Sequence, residues 1–173
     1  MTVKEIIEKS AKLLGVEMTD ENTENFVLCY NIVEFELSFD YFPLRTVDKL
    51  FIKDNKIKYT DLQRQSWRFM GVYDCNNKEV KYKLYPKYIG FGEEENGKQC
   101  LVVYCYVPQK KTIDDISEFD KGMFEEVFKY GVCSEYCLMQ GDYKKASAFN
   151  EKYKNAIQER YANRKRSDNG RED

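Results

Sequence analysis

"YGVCSEYCLMQGDYKKASAFNEKYKNAI", residues Tyr130–Ile157, sets two cysteines four positions apart, breaks at Gly141-Asp142, and resumes with Ala, Phe, Tyr and Ile at helical spacing. Cys133 and Cys137 can be read as a metal clip, a redox couple or part of a buried helix. On a helix, residues four apart share a face. Met123 and Tyr130 fall on that face as well, while Phe124, Val127, Phe128, Gly131, Leu138 and Met139 fall on the opposite side. A helix over about 121–140 is therefore apolar nearly all round, and a cysteine in such a place behaves as a small hydrophobe.

The other two readings fare worse. A structural zinc site needs about four ligands. The chain has no His, and Cys29, Cys75, Cys100 and Cys105 are scattered without forming a second Cys-x-x-Cys knuckle. Thioredoxin-type redox chemistry uses Cys-x-x-Cys at a helix start, and this spacing differs. Packing is the favoured reading, and it carries a demand: a helix without a polar face must be covered on two sides. One cover is the protomer's own core. The other is expected from a neighbouring subunit, which makes Tyr130, Cys133 and Cys137 a candidate subunit-interface face.

Beyond the break, Asp142 caps a helix expected over about 143–162, with Tyr143, Ala146, Phe149, Tyr153, Ala156, Ile157 and Tyr161 as its stripe. The remainder, 163–173, has no apolar anchor and reads as a flexible tail. Its cluster Arg164, Lys165 and Arg166 is either a solvated end or a docking element for an acidic partner surface or a DNA backbone.

At the other end, Val3, Ile6, Ile7, Ala11 and Leu14 have helical spacing, with Thr2 and Glu5 as a capping box and Gly15 as the stop. A second helix, capped by Thr23 or the acids before it, is expected to run to about Tyr41, where Pro43 forbids continuation. Phe26, Cys29, Tyr30, Val33 and Leu37 make one apolar face, and Leu28, Ile32, Phe35 and Phe39 a second. The rival is a strand, because Val33, Phe35, Leu37, Phe39 and Tyr41 alternate with polar residues; length and capping favour the helix.

Residues 48–108 change character. Short β-type runs flank "KDNK" and a Cys75-Asn76-Asn77 turn, and Asn96-Gly97 between two β-rich runs is a hairpin signal. The expected fold class is α+β. A four-helix core of two N-terminal helices (1–47) and two C-terminal helices (109–162) carries an antiparallel β insert of about five or six strands (48–108), one face of it solvated.

Composition narrows function. The 173 residues fit one domain, or one domain with a small lobe, and the formal charge of −2 gives no global basic excess for nucleic acid. Fourteen Tyr and eleven Phe suit half-buried surfaces and protein interfaces. The absence of His removes the commonest acid–base catalyst and metal ligand. The N-terminus is amphipathic rather than a signal peptide, no stretch reaches membrane-span length, and six Cys read as free thiols in a reducing cytosol. Asp114, Asp115, Glu118 and Asp120 lack an EF-hand pattern and suit helix capping, with Ser117 as a further cap. "GFGEEENG" has acids where a phosphate loop needs Lys. Glu34, Glu36 and Asp40 have no visible base partner. No catalytic constellation, cofactor or metal site is expected.

In two stretches the sequence resembles the head–tail connectors, or adaptors, of tailed bacteriophages and prophages. One is Leu28 to Leu37 running into Asp40-Tyr41-Phe42-Pro43-Leu44. The other is Tyr130-Gly131, Ser134-Glu135-Tyr136 and Gly141-Asp142, followed by Ala146, Phe149, Tyr153 and Ala156. The order of two helices, a β insert and two more helices is also similar to podophage tail adaptors. The resemblance implies a non-enzymatic virion protein at the head–tail junction, assembled in the host cytoplasm. It implies a homo-oligomeric ring, commonly of twelve copies, between portal protein and tail proteins, with DNA passing through the lumen without sequence-specific binding and no membrane. In that frame Arg164, Lys165 and Arg166 form a candidate portal-docking tail. The alternatives are another head-completion or tail-assembly protein, or a non-viral peptide- or protein-binding domain.

Overall fold

The computed structural model describes residues 1–169, with side chains to Ala162. The chain is mixed α+β, with four helices and two small three-stranded sheets among the described residues. It divides into two compact units. One takes in Met1–Leu37 and the chain from Gln109 onward; the other is Ser38–Pro108.

The helical unit holds α1 (Val3–Leu14), α2 (Asp20–Glu36), α3 (Lys121–Met139) and α4 (Tyr143–Asn169). Helix α1 has the expected ends: Thr2 and Glu5 form the capping box, and Gly15 closes it at φ 68°. Helix α2 is capped by Thr19 rather than Thr23, whose hydroxyl instead donates to the Thr19 carbonyl. The strand alternative for this segment does not hold; the helix ends in a π-helical turn, Leu37–Tyr41. Asp120 caps α3 by accepting from Gly122 and Met123 N–H. Ser117, expected as a cap, accepts from Phe119 N–H and donates to Glu34 instead.

Gly141, at φ 75°, and Asp142, accepting from Lys145 N–H, turn the chain from α3 into α4 as expected. Helix α4 then runs past the expected end at Ala162 to Asn169. The flexible tail is thus too long as drawn: a helix already nucleated extends at little cost through Arg and Lys, which have good helix propensity. Residues 170–173 lie outside the described residues.

Helix α3 packs against α1, α2 and α4. Phe26 stacks on Tyr136 at 4.1 Å between centroids, and Tyr30 on Phe128 at 4.9 Å. Gly131 permits the closest approach. A Cβ built there would lie 2.9 Å from Val33 Cγ1 and 3.0 Å from Tyr153 Cε2.

The second unit contains β1 (Arg45–Phe51), β2 (Lys56–Lys58), β3 (Ser66–Tyr73), β4 (Lys83–Leu84), β5 (Tyr88–Gly90) and β6 (Gln99–Tyr106). All pairings are antiparallel, in the orders β1-β6-β3 and β2-β5-β4. The expected single insert is therefore two sheets, and its first strand begins at Arg45 rather than Asp48. The hairpin expected at Asn96-Gly97 is absent: β5 and β6 belong to different sheets. Glu93–Glu95 form a 3-10 turn there, and Gly97, at φ 79°, donates to the Ile52 carbonyl. Both edges of β6 are already taken by β1 and β3, so no edge remains for β5. Ile52, Ile57, Val72, Ile89, Val102 and Tyr104 form the core of this unit.

Gly131→Ala adds a methyl where two side chains stand within 3.0 Å. Overpacking of about 1–3 kcal/mol exceeds the gain in helix propensity of about 1 kcal/mol. A net loss of up to about 2 kcal/mol is expected in urea unfolding, and a raised midpoint would show that the three helices have slack there.

Candidate functional site

The most elaborate polar arrangement in the helical unit centres on Glu34, 1 % exposed within α2. Its Oε1 accepts from Tyr30 Oη at 3.1 Å, Ser117 Oγ at 3.3 Å and Glu118 N–H at 3.1 Å. Lys111 Nζ reaches the Glu118 carboxylate at 3.1 Å. One turn earlier, the Asn31 side-chain amide brackets the Lys111 backbone, donating to its carbonyl at 2.9 Å and accepting from its N–H at 2.6 Å. Burial pushes the Glu34 carboxyl above the ordinary carboxylate range, against the opposing pull of these donors and of Lys111. Hydrogen bonds from all sides fix the segment before α3 onto α2. The arrangement acts as a clamp: the carboxyl is enclosed, and the Tyr30 and Ser117 hydroxyls beside it are both engaged in donating to it.

The thiol pair is enclosed too. Cys133 is 0 % exposed, with its Sγ 3.7 Å from the Ser10 carbonyl of α1, and Cys137 is also buried. This chain itself supplies the cover expected from a neighbouring subunit. Burial pushes the Cys133 thiol up to about 12, and Cys29 likewise to about 12. Of the three residues of the expected interface face only Tyr130 retains surface, flanked by Lys129 at 4.7 Å and Lys152 at 5.7 Å from its ring centroid. Among the described residues no group of three or more Cys, Asp or Glu could hold a metal ion.

The uncovered apolar surface lies elsewhere. Leu28 and Ile32, one turn apart on α2, are 46 % and 43 % exposed, whereas Phe26, Cys29, Tyr30 and Val33 on the other side of the helix are buried. The first of the two expected faces of α2 is thus covered, and the second is open at these two positions. Leu138, Met139 and Tyr143, at the α3–α4 corner, are also exposed. The periodicity puts Leu138 and Met139 on a covered side, whereas at the last turn of α3 they are 44 % and 42 % exposed. Arg164, Lys165 and Arg166 lie on the backbone of α4, and their side chains fall outside the described residues.

The β unit holds a feature the sequence reading missed. A groove of about 1110 Å³ opens along the β2-β5-β4 sheet. Five lysines line it: Lys56, Lys58, Lys81, Lys83 and Lys87. So do Tyr59, Tyr82, Tyr85, Tyr88 and Phe91, and Asp54 is the only acid in the lining. Tyr85 stacks on Tyr88 with centroids 4.7 Å apart, and Tyr59 Oη donates to the Tyr85 carbonyl at 2.6 Å. The sequence signal was the interleaving of Lys and Tyr over 56–59 and 81–88, which alternation alone assigns to a solvated face.

No protein-family model matches the chain, and no curated protein matches it. No helix among the described residues is long and apolar enough to cross a membrane.

Two outcomes test this description. Only Cys75 is exposed among the six free thiols, so a thiol reagent should modify one thiol quickly in the native protein and all six after unfolding. Fast native reaction at Cys133 would show that α3 is not enclosed. The second test concerns Glu34. Folding raises its pKa, so its contribution is fully present below the unfolded value, where the group is protonated in both states, and is lost as pH rises through the folded value. Wild-type stability relative to Glu34→Gln should fall as pH rises from about 4 to 8. A difference that stays constant or grows would mean that the donors, not burial, set the charge state.

Proposed function

We propose that this chain is a head–tail adaptor of a tailed bacteriophage: a structural virion protein, without catalytic activity, whose copies form a ring between portal protein and tail proteins around the exiting DNA. In this reading the four helices are the adaptor core and the two-sheet unit is its β insert. The site of action is the head–tail junction, after assembly in the host cytoplasm.

The observation that carries the reading is the open second face of α2. Leu28 and Ile32 lie inside the stretch that resembles the adaptors, and both leave nearly half of their surface to water. Burying the remainder against another copy is worth roughly 1 kcal/mol per side chain. That is small for one pair and is multiplied around a closed ring, where each copy both offers and receives a surface. The exposed corner of Leu138, Met139 and Tyr143 adds a second apolar patch on the same unit. The basic cluster Arg164–Arg166 follows as the portal-docking element, by attraction to acidic groups on that partner.

The test is native mass spectrometry of the purified chain with and without portal protein. Portal-dependent assembly of several copies is expected. Leu28→Glu/Ile32→Glu places two carboxylates on an exposed face, so the monomer should keep its melting temperature within a few degrees, while assembly should be lost. A double variant that assembles as readily as wild type would remove the α2 face from the ring, and a chain indifferent to portal would remove the adaptor reading.

A further inference from the structure

Five lysines converge on one groove of a protein whose overall charge is −2. Such a concentration is not a consequence of composition. Asp54 is the only acid in the lining, with Asp61 beside Lys58 and Glu94 beside Gly92 at its margin, so the lysines outnumber the acids around the groove. Like charges held along one concave wall repel one another and are stabilised when an anion enters. At about 1110 Å³ the groove also exceeds the roughly 300–1000 Å³ of small-molecule sites, which suits an extended ligand.

The aromatic lining narrows the class of polyanion. Tyr85 is 41 % exposed although its ring lies on Tyr88, so the pair leaves aromatic surface open to solvent. Its seat is built by the backbone. Gly90, paired with Lys56 and Lys83, is where a Cβ would come within 2.7 Å of Tyr85 Cε2, so the Cδ2–Cε2 edge of the ring occupies the place a side chain would take. An acidic peptide would use the lysines and gain little from flat rings. A duplex keeps its bases stacked inside and would also leave the rings unused. A single strand uses both: phosphates on the ammonium groups, and unstacked bases on the ring faces, a combination that tolerates any sequence.

We propose that the groove along β2, β5 and β4 binds single-stranded nucleic acid, with Lys56, Lys58, Lys81, Lys83 and Lys87 on the phosphates and Tyr85 as the outer stacking platform. The proposal stands independently of the ring, since every residue it uses lies in the β unit of one chain.

Fluorescence anisotropy of the full chain tests it with a labelled oligothymidylate of about a dozen nucleotides, comparable to the site sizes of single-strand binders. Binding should weaken steeply between about 50 and 200 mM salt. Lys58→Gln/Lys83→Gln/Lys87→Gln should reduce affinity about 100-fold at 0.1 M salt and flatten the salt dependence by about two in slope. Tyr85→Ala should cost about tenfold with the salt slope unchanged, which separates stacking from charge. Gly90→Ala, which moves the ring without altering charge, should weaken binding in the same salt-independent way. Circular dichroism melts establish that each variant is folded, and the lysine variant, altered only at exposed positions, carries the test should Gly90→Ala fail to fold. Absence of binding would overturn the proposal. Tighter binding of a polyglutamate peptide or of the same sequence as duplex would overturn it, as would binding that the groove substitutions leave intact, which would place the contact at Arg164–Arg166. Loss of oligonucleotide binding with portal assembly retained, or the reverse, tells this proposal apart from the adaptor reading.

Discussion

From Val127 to Cys137 helix α3 has little side to give to water, and the helical unit is organised around that constraint. Val127, Phe128, Val132 and Cys133 are each 0 % exposed, on different sides of the same helix. Burial of that kind demands neighbours in several directions, and α1, α2 and α4 supply them. Gly131 sets how near they come: Val33 of α2 and Tyr153 of α4 both close over the place where a side chain would be. The cysteines that look like chemistry in the sequence are the small apolar residues that let a crowded helix pack.

The same crowding explains why a carboxylate can stand in the helical core. Glu34 is surrounded by donors from Tyr30, Ser117 and Glu118, and its burial would otherwise cost several kcal/mol. Together with the Asn31 bracket on Lys111, it clamps the segment that returns from the β unit onto α2.

Much of the helical unit was legible because its signals are local. Thr2, Glu5 and Gly15 mark the ends of α1, and Gly141-Asp142 marks the corner between α3 and α4, through bonds that span three or four residues. The errors came where distant residues compete. Asn96-Gly97 has the chemistry of a hairpin turn, but strand pairing is decided by which edges are free, and β1 and β3 occupy both edges of β6. Periodicity shows that α3 needs a second cover without showing what supplies it, so it points to a subunit interface at Tyr130, Cys133 and Cys137, of which the two cysteines are covered within the chain. The Lys–Tyr groove was invisible for a similar reason: residues 56–59 and 81–91 come together only through the β2-β5-β4 pairing.

What distinguishes an assembling adaptor from a self-contained domain is the fate of the α2 surface left open at Leu28 and Ile32. Hydroxyl-radical footprinting of the free chain and of the chain mixed with portal protein reads that fate directly, residue by residue. The account predicts that Leu28 and Ile32 become protected in the assembled state, while Cys133, Val127 and Phe128 are unreactive in both. Unchanged reactivity of Leu28 and Ile32 in a mixture that has assembled would contradict it.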